Sequence, residues 1–337
     1  MTTELEVRGL QKRFRTGNAL FDRSRIHAVD DVSFTLRPGT VTALVGESGS
    51  GKSTVARLLA RLYDPSDGSV VFAGSDISAA RRRRDVLRYR SQVQLIFQDP
   101  FASLNPVKTV RQTLARPLRI HKVVPRDRVT ERVHELLDAV GLIPPERIAA
   151  KYSHELSGGQ RQRVAIARAL AVEPSVLVAD EPISMLDVSI RLGILNLILD
   201  LKAERNLAFL YVTHDLASAR YVADDVLVMY AGQIVEQGPA ERVLSEPLHP
   251  YTQLLLASVP DPTRSDRPEL ELRKGLAAAA VDPPEGCRFV GRCPLAIDVC
   301  SRVTPPLVEA GPAHSARCHV TAPSPAIRED LHVESAR

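Results

Sequence analysis

The sequence lacks any run of about 18 apolar residues, the length that a membrane-spanning helix requires. Its first residues are acidic and lack the apolar segment of a secretory signal peptide. Its 44 basic and 40 acidic residues nearly balance, so no excess of one sign indicates nucleic acid as a partner. It also lacks an internal repeat. These absences predict a chain that stays in the cytoplasm, where it can still dock on a membrane protein.

The 337 residues exceed one minimal core and predict a large domain with an appendage. Residues 81–84 are all arginine. This run is typical of a solvated surface, and a patch that contacts phosphate or lipid is the alternative. From about residue 240 proline becomes frequent, residues 277–280 are all alanine, and cysteines occur for the first time. We therefore place a domain boundary near residues 240–260.

Strand and helix patterns alternate along the chain, which predicts an α/β fold with a largely parallel sheet and helices on both faces. The apolar patterns indicate strands near residues 5–7, 32–36, 41–45, 93–97, 176–179 and 208–212. They indicate helices over residues 52–62, 127–140, 161–171, 190–202 and 217–223. Gly141 is a plausible helix C-cap.

A glycine-rich turn, G-E-S-G-S-G-K-S at residues 46–53, lies between a predicted strand and a predicted helix. It fits the phosphate-binding pattern G-x-x-x-x-G-K-[ST] in the context that this pattern requires. Glycines let successive backbone N–H groups surround a phosphate, and the helix N-terminus adds partial positive charge. We expect Lys52 to bridge the β- and γ-phosphates and Ser53 to coordinate Mg²⁺. The turn predicts nucleoside triphosphate binding without showing how the energy is used.

Two acids end the apolar run at residues 176–179. Asp180 is placed to hold Mg²⁺, and Glu181, which points differently, to polarise the attacking water as general base. A strand that merely ends in two acids is the alternative, and the upstream phosphate loop argues against it.

The pentapeptide L-S-G-G-Q at residues 156–160 precedes a helical pattern and offers a second helix N-terminus with glycine backbone. It resembles the signature of ABC ATPases, in which this turn faces the γ-phosphate held by the other subunit. Gln98 resembles the Q-loop glutamine, which senses Mg²⁺ and the transmembrane partner, and His214 the switch histidine at the γ-phosphate. S-M-L-D at residues 184–187 resembles the D-loop, where Met185 departs from the usual alanine. Phe14 is the candidate for stacking on adenine, with Phe21 as a rival.

The resemblance covers about residues 4–325 and implies a P-loop NTPase with a RecA-like core, an antiparallel β subdomain and an α-helical signature subdomain. It implies a nucleotide-binding domain over 1–245, with the helical subdomain at about 98–163, a cysteine-bearing extension over 246–325 and a disordered tail over 326–337. Glu181, His214 and Gln98 are expected to be catalytic, with Ser53, Gln98 and Asp180 around Mg²⁺. The expected ATP-binding residues are Phe14, Gly46, Ser48, Gly49, Ser50, Gly51, Lys52, Ser53, Thr54, Ser157, Gly158, Gly159, Gln160 and Asp187.

The stretches at residues 45–51, 98–106, 151–155 and 249–252 narrow the resemblance to ATPases of oligopeptide, dipeptide and nickel importers. It implies a motor on the cytoplasmic face of the membrane, working with two permease subunits, a second ATPase subunit that is a different chain, and a solute-binding protein. Peptides are the expected cargo, with oligosaccharide and nickel as alternatives. A DNA-repair or ribosome-acting ABC ATPase is a remote alternative, because the chain has one cassette and no sustained heptad run. A kinase is disfavoured by the signature.

The four cysteines lie in the last part of the chain and follow the spacing C-x5-C-x6-C-x17-C. Disulfides are disfavoured in the cytosol, and four thiolates can hold a metal centre. The resemblance favours a [4Fe-4S] cluster, with zinc or reduced structural thiols as alternatives. The expected ligands are Cys287, Cys293, Cys300 and Cys318.

Overall fold

Two β-sheets organise the part of the chain that the computed structural model describes, namely residues 4–15, 24–80, 82–99, 103–258 and 281–325. Phe21, Arg81 and the predicted tail at 326–337 lie outside these residues. Across the described ranges, no helix combines the length and apolar character needed to cross a membrane.

The smaller sheet is antiparallel and has the strand order β2-β1-β4-β5. Leu5, Val7 and Leu10 are buried along β1, and a register shift between Val7 and Leu10 interrupts the alternation of inward side chains. The strands near the N-terminus are longer than the sequence pattern indicated. Their bounds are β1 Leu5–Arg15, β2 Arg25–Leu36, β4 Asp67–Phe72 and β5 Ser75–Asp76.

The larger sheet has the order β11-β12-β10-β9-β3-β8-β7-β6, and its strands from β9 to β6 are parallel. Every residue of β3, β7 and β8 is buried, which explains why these strands read as continuous apolar runs. The predicted parallel sheet is confirmed. The parallel strands are β3 Val41–Val45, β6 Val93–Ile96, β7 Val176–Asp180, β8 Ala208–Thr213 and β9 Asp225–Tyr230.

Helices connect these strands and cover the sheet. The predicted helical segments are all present, and the apolar face of α4 is buried as expected. Gly141 follows α4 in the left-handed region and closes its last turn, which confirms the predicted stop. The helices are α1 Lys52–Leu59, α2 Arg83–Gln92, α3 Val110–His121, α4 Val129–Ala139, α5 Pro145–Ala150, α6 Gly158–Leu170, α7 Val188–Arg205, α8 Leu216–Val222, α9 Ala240–Ser245 and α10 Pro250–Ala257.

The prediction that the first helix extends to residue 62 was wrong, because α1 ends at Leu59. Arg61 adopts a left-handed φ of 54°, and the amides of Arg61 and Leu62 bond back to the carbonyls of Leu58 and Arg57. This pattern normally uses glycine, so an arginine in that position gave no stop signal.

The segment between β6 and β7 contains α3 to α6, whose apolar faces share one core with the parallel sheet. A capping box at Thr109 and Gln112 starts α3. We expect this segment to form the helical subdomain, and the bounds given for it, about residues 98–163, stay a prediction.

The C-terminal extension continues the larger sheet. Its strands are β11 Val308–Gly311 and β12 His314–Ala316, and β12 pairs antiparallel with β10 (Gln233–Pro239). Two ion pairs fasten it to β2, from Arg288 to Asp30 and from Arg317 to Asp31. The extension is therefore built onto the edge of the sheet that carries the phosphate loop.

A buried carboxylate anchors this junction. Glu236 on β10 has no exposed surface and lies 2.7 Å from Nε2 of His314 on β12. It also accepts hydrogen bonds of 2.8 Å from the backbone N–H groups of Leu248 and His249, just before α10. One side chain thus joins β10, β12 and the start of α10. This fixes the direction in which α10 leaves the sheet.

His249 makes the stability of this junction depend on pH. Burial lowers the pKa of His249 to about 3, and its Nδ1 accepts the N–H of Tyr251 at 3.0 Å. In the unfolded chain the pKa returns to about 6.5, so below that pH the unfolded chain binds the extra proton. The contribution of neutral His249 to the free energy of unfolding is complete above pH ~6.5. It is lost as the pH falls, by up to ~1.4 kcal/mol per pH unit.

We expect His249→Asn, which keeps an acceptor for Tyr251 but cannot titrate, to flatten this dependence. Urea unfolding at about pH 7.5 and about pH 5.5 measures it as the difference in the free energy of unfolding between the two conditions. His134→Asn, at a partly exposed histidine of α4, is the control. Equal acid losses in the wild type and His249→Asn would contradict the assignment.

Candidate active site

The phosphate loop owes its shape to three glycines with positive φ, at Gly46 (152°), Gly49 (81°) and Gly51 (108°). A Cβ on Gly46 would lie 2.1 Å from the carbonyl oxygen of Met229. One on Gly51 would lie 2.1 Å from that of Ala28. Backbone from β9 and β2 thus holds the loop closely, and no side chain fits at either position.

Lys52 opens α1 and is only 5% exposed. Its Nζ donates to the carbonyl oxygens of Gly46 (2.7 Å) and Glu47 (2.8 Å), so the ammonium lies inside the loop. Burial lowers the pKa of Lys52, while Glu181, Asp180 and Glu47 act in the opposite direction. A cation held by neutral carbonyls can turn to the stronger acceptor that a phosphate oxygen provides. The predicted role of Lys52 fits this position.

Ser53 and Asp180 form an oxygen pair beside the loop. The Ser53 hydroxyl donates to Oδ1 of Asp180 at 3.0 Å, and Asp180 is 4% exposed at the end of β7. Burial raises the pKa of Asp180, and the bond from Ser53 counteracts this. Hydroxyl and carboxylate oxygens are the ligands that Mg²⁺ prefers, and Mg²⁺ usually completes its shell with phosphate and water oxygens. These residues therefore fit a Mg²⁺ ion that accompanies a bound triphosphate.

Glu181 lies between two polar side chains from neighbouring strand ends. The Gln98 Nε2 donates to Glu181 Oε2 at 2.9 Å, and Nδ1 of His214 lies 3.1 Å from Oε1. Glu181 itself has a left-handed φ of 47°, and its N–H bonds the carbonyl of Val212 on β8. Because β6, β7 and β8 are adjacent and parallel, their carboxyl ends bring Gln98, Glu181 and His214 together. This carboxylate is oriented and only partly exposed, as a general base requires.

The signature turn begins α6. The Ser157 hydroxyl accepts the N–H of Gln160 at 3.3 Å, and the Gln160 side chain accepts the N–H of Ser157 at 3.1 Å. This reciprocal cap leaves the N–H groups of Gly158 and Gly159 at a positive helix end. Gly159 packs against Ile190 of α7, which follows Asp187 at the exposed N-terminus of that helix. The turn has the chemistry of an anion site, and the side-chain hydrogen bonds of Ser157 and Gln160 join these two residues to each other.

Phe14, the predicted adenine-stacking residue, is half-buried at the end of β1 and meets Tyr63 edge-on at a centroid distance of 5.6 Å. The Lys12 ammonium lies 5.3 Å from the Phe14 ring and 5.8 Å from the Tyr63 ring. The role of Phe14 stays a prediction, and Tyr63 joins it as an aromatic edge that sequence reasoning missed. No motif marked Tyr63, since it follows a helix end that the sequence pattern misplaced.

The extension also reaches the phosphate loop. Glu47, inside the loop, donates its N–H to Tyr251 Oη at 2.8 Å, and its carboxylate pairs with Arg292. The sequence offered one hint, because Tyr251 belongs to the H-P-Y-T stretch at 249–252. Nothing in the sequence marked Arg292.

The four cysteines are free thiols, and those at 293, 300 and 318 are buried. Burial raises the pKa of Cys287 to about 11, and the other three thiols add to this, so all four lie in one region. Among the described residues, however, no group of three or more cysteine, histidine or acidic side chains could hold a metal ion. The placement of these thiols gives no support to the predicted iron–sulfur cluster.

A phosphate loop at the carboxyl edge of a parallel sheet, with Asp180, Glu181 and a second helix N-terminus, defines a P-loop nucleoside triphosphatase. The sequence matches the family model of the ABC transporter over residues 29–184. It also matches that of the oligopeptide/dipeptide transporter C-terminal region over residues 235–300. The chain belongs to the ATP-binding proteins of ABC transporters and is an ATPase, as the motifs predicted.

Curated relatives resemble the chain over most of its length. The "Oligopeptide transport ATP-binding protein AppF" of Bacillus subtilis is 44% identical over 94% of this chain and 97% of its own. The "Probable peptide ABC transporter ATP-binding protein y4tS" of Sinorhizobium fredii is 46% identical over 89% of this chain and 84% of its own.

Solved structures confirm the fold. One is cbiO1 of Clostridium perfringens, described as part of the ABC transporter complex cbiONQ. It has a TM-score of 0.63 and 30% identity, and the match covers 73% of this chain and 92% of that one. Another is the ATP-binding cassette MJ0796, described as a dimeric post-hydrolysis state bound to ADP and Pi. It has a TM-score of 0.62 and 28% identity, and the match covers 70% of this chain and 98% of that one.

Proposed function

We propose that this chain is the ATP-hydrolysing subunit of an importer that carries dipeptides or oligopeptides across the cell membrane. Relatives that are 43–46% identical to it are described as ATP-binding proteins of oligopeptide transport, of a peptide ABC transporter and of peptide import. The match to the oligopeptide/dipeptide transporter C-terminal region supports the same cargo. Oligosaccharide and nickel uptake stay alternatives that these similarities do not favour.

The observation that carries the proposal is the position of Glu181. Its carboxylate follows Asp180 directly and is held by Gln98 at 2.9 Å and His214 at 3.1 Å, beside the buried Lys52. A carboxylate at this point can accept a proton from water that attacks the γ-phosphate, while Lys52 neutralises the β- and γ-oxygens. When bound, Mg²⁺ neutralises and orients the phosphates, and Ser53, Asp180 and Gln98 would hold it.

The cassette of a second ATPase subunit would complete the site. The glycine N–H groups of the Ser157 turn are proposed to bind the γ-phosphate on the phosphate loop of the other subunit, with Asp187 crossing the interface. The local capping of Ser157 and the dimeric form of a similar cassette support this arrangement. ATP would bind the closed dimer more tightly than the open one and so favour closure. Closure would in turn shift the conformational equilibrium of the attached permease.

The proposed assembly places the chain on the cytoplasmic face of the membrane. It comprises two permease subunits, a second ATPase chain that differs from this one, and a solute-binding protein. No nucleic acid takes part in it. Residues 1–245 would form the nucleotide-binding domain and 246–325 the extension. The iron–sulfur cluster stays a prediction from the cysteine spacing, and no group of metal-ligating side chains among the described residues supports it.

Transport by the reconstituted complex tests the cargo. We expect the chain, in proteoliposomes with its co-purified permeases and solute-binding protein, to take up labelled di- and tripeptides only with ATP. Peptide should also stimulate phosphate release by about tenfold or less, a shift that a modest coupling free energy allows. Glu181→Gln in the same complex is the inactive control. Stimulation by an oligosaccharide or Ni²⁺ in place of peptide would overturn the assignment of peptides as cargo. The assignment of the chain as an ATPase would still stand.

A further inference from the structure

Glu47 is held by the C-terminal extension on two sides. Its backbone N–H donates to Tyr251 Oη at 2.8 Å. Both of its carboxylate oxygens accept bonds of 3.0 Å from the two terminal nitrogens of Arg292. This is the two-pronged geometry in which a guanidinium binds a carboxylate most firmly. The contacts join a loop near the N-terminus to residues that follow it by 204 and 245 positions.

An aromatic cluster fixes the two extension residues. Tyr230 of β9 packs against Tyr251 and Phe289, at centroid distances of 4.6 and 5.3 Å. The Arg292 guanidinium lies 5.8 Å from the ring of Tyr230 and 5.7 Å from that of Phe289. The Arg292 side chain is 15% exposed and the Glu47 side chain 33%. Because the rings restrict the guanidinium, the ion pair loses less entropy than an exposed pair would.

The charge of Glu47 lies next to the place where the phosphates bind. Its carbonyl oxygen accepts a bond from Lys52 Nζ, and its carboxylate acts on the pKa of Lys52. An unpaired carboxylate in the phosphate loop would repel a triphosphate. Arg292 cancels that charge, while Tyr251 fixes the N–H of the same residue.

We propose that Arg292 and Tyr251 are positioning residues of the nucleotide site, through which the cysteine-bearing extension holds Glu47 and neutralises it so that the phosphate loop accepts ATP. The proposal rests on ATP binding by the loop and is independent of the cargo. Both residues bond Glu47, and we propose that each acts on the nucleotide site through it.

The first test is a double-mutant cycle on the ATP dissociation constant, measured with a fluorescent ATP analogue on the full chain. We expect Arg292→Ala to weaken binding about tenfold, a factor equal to ~1.4 kcal/mol. Combining it with Glu47→Gln should restore binding to within about threefold of the wild type, because no charge then needs a partner. Arg292→Lys should lie between the two, since it keeps the charge and loses the fork.

Arg317→Ala is the matched control. Arg317 is a buried arginine of the extension, and its hydrogen bonds go to Asp31, Ile234 and Pro305 rather than to a residue of the phosphate loop. The Arg317→Ala variant should have a lower melting temperature than the wild type and an unchanged ATP dissociation constant. A similar loss of ATP affinity in Arg317→Ala would mean that the extension only stabilises the fold. An Arg292→Ala loss that persists in the Glu47→Gln background would refute the charge argument.

Steady-state kinetics separate positioning from catalysis. Tyr251→Phe, which removes the acceptor for the Glu47 N–H, should raise KM for ATP about threefold, the loss of one modest hydrogen bond, with kcat nearly unchanged. Arg292→Ala should show the same pattern with a larger KM. If kcat falls instead while KM stays constant, the two residues act on the chemical step and the proposal is wrong.

Discussion

Replacing Glu181 with glutamine is expected to lower ATP turnover by about 10²- to 10⁴-fold while leaving ATP binding intact. Glutamine keeps the shape of the side chain and its contacts with Gln98 and His214, but it cannot accept a proton from water. Lys52, Ser53 and Asp180 are unchanged, so the phosphates and Mg²⁺ are still held. The variant should therefore accumulate with ATP bound.

This accumulation has a structural readout. We expect Glu181→Gln to form a stable ATP-dependent dimer of cassettes with its partner ATPase chain, measured by light scattering after size exclusion with ATP and Mg²⁺. Glu135→Gln makes the same chemical change on the surface of α4, where Glu135 pairs only with Arg132 in the described structure, and serves as the control. Wild-type turnover in Glu181→Gln would remove Glu181 as the general base. Equal losses in both variants would point to a general loss of folded protein.

Replacing Gly51 with alanine is expected to abolish ATP binding. Its φ of 108° is unfavourable for any residue with a Cβ, and that atom would lie 2.1 Å from the backbone oxygen of Ala28 on β2. A backbone carbonyl in a paired strand cannot move aside as a flexible side chain can. The loop must therefore change shape, and the N–H groups at the start of α1 would no longer converge on a phosphate.

Gly74→Ala is the matched control for this change. Gly74 has a φ of 78°, and a Cβ there would meet nothing within 4 Å. Gly74→Ala should lower the free energy of unfolding only by the strain of a left-handed alanine, about 1–2 kcal/mol, and should still bind ATP. The rise in melting temperature on adding ATP and Mg²⁺ measures this, since a ligand stabilises only a protein that binds it. An ATP-induced rise in Gly51→Ala equal to that of the wild type would contradict the prediction.

Features encoded in consecutive residues were predictable from the sequence. The phosphate loop, the two acids at the end of β7 and the Ser157 capping box each lie within a few residues of chain, so their spacing fixes their geometry. The parallel strands followed from apolar runs whose side chains are all buried. The meeting of Gln98, Glu181 and His214 followed once those strands were placed side by side.

Long-range features were not predictable in this way. The pairing of Arg292 with Glu47 joins residues 245 positions apart, and an arginine in a loop carries no partner information. The addition of β12 to the sheet depends on Glu236, whose two carboxylate oxygens serve β10, β12 and α10 together. The left-handed Arg61 ended α1 without a glycine. Cysteine spacing indicated a metal centre, but side-chain placement decides whether ligands converge.

The most direct test of the central claim is phosphate release from MgATP by the wild-type chain mixed with its partner ATPase chain, followed as the concentration of both proteins is raised. Two cassettes that complete each other's sites predict a rate that rises faster than linearly with concentration until the dimer is saturated. The account also predicts that this rate disappears in Glu181→Gln. If neither the chain nor its assembly binds or cleaves ATP in the presence of Mg²⁺, the account is wrong.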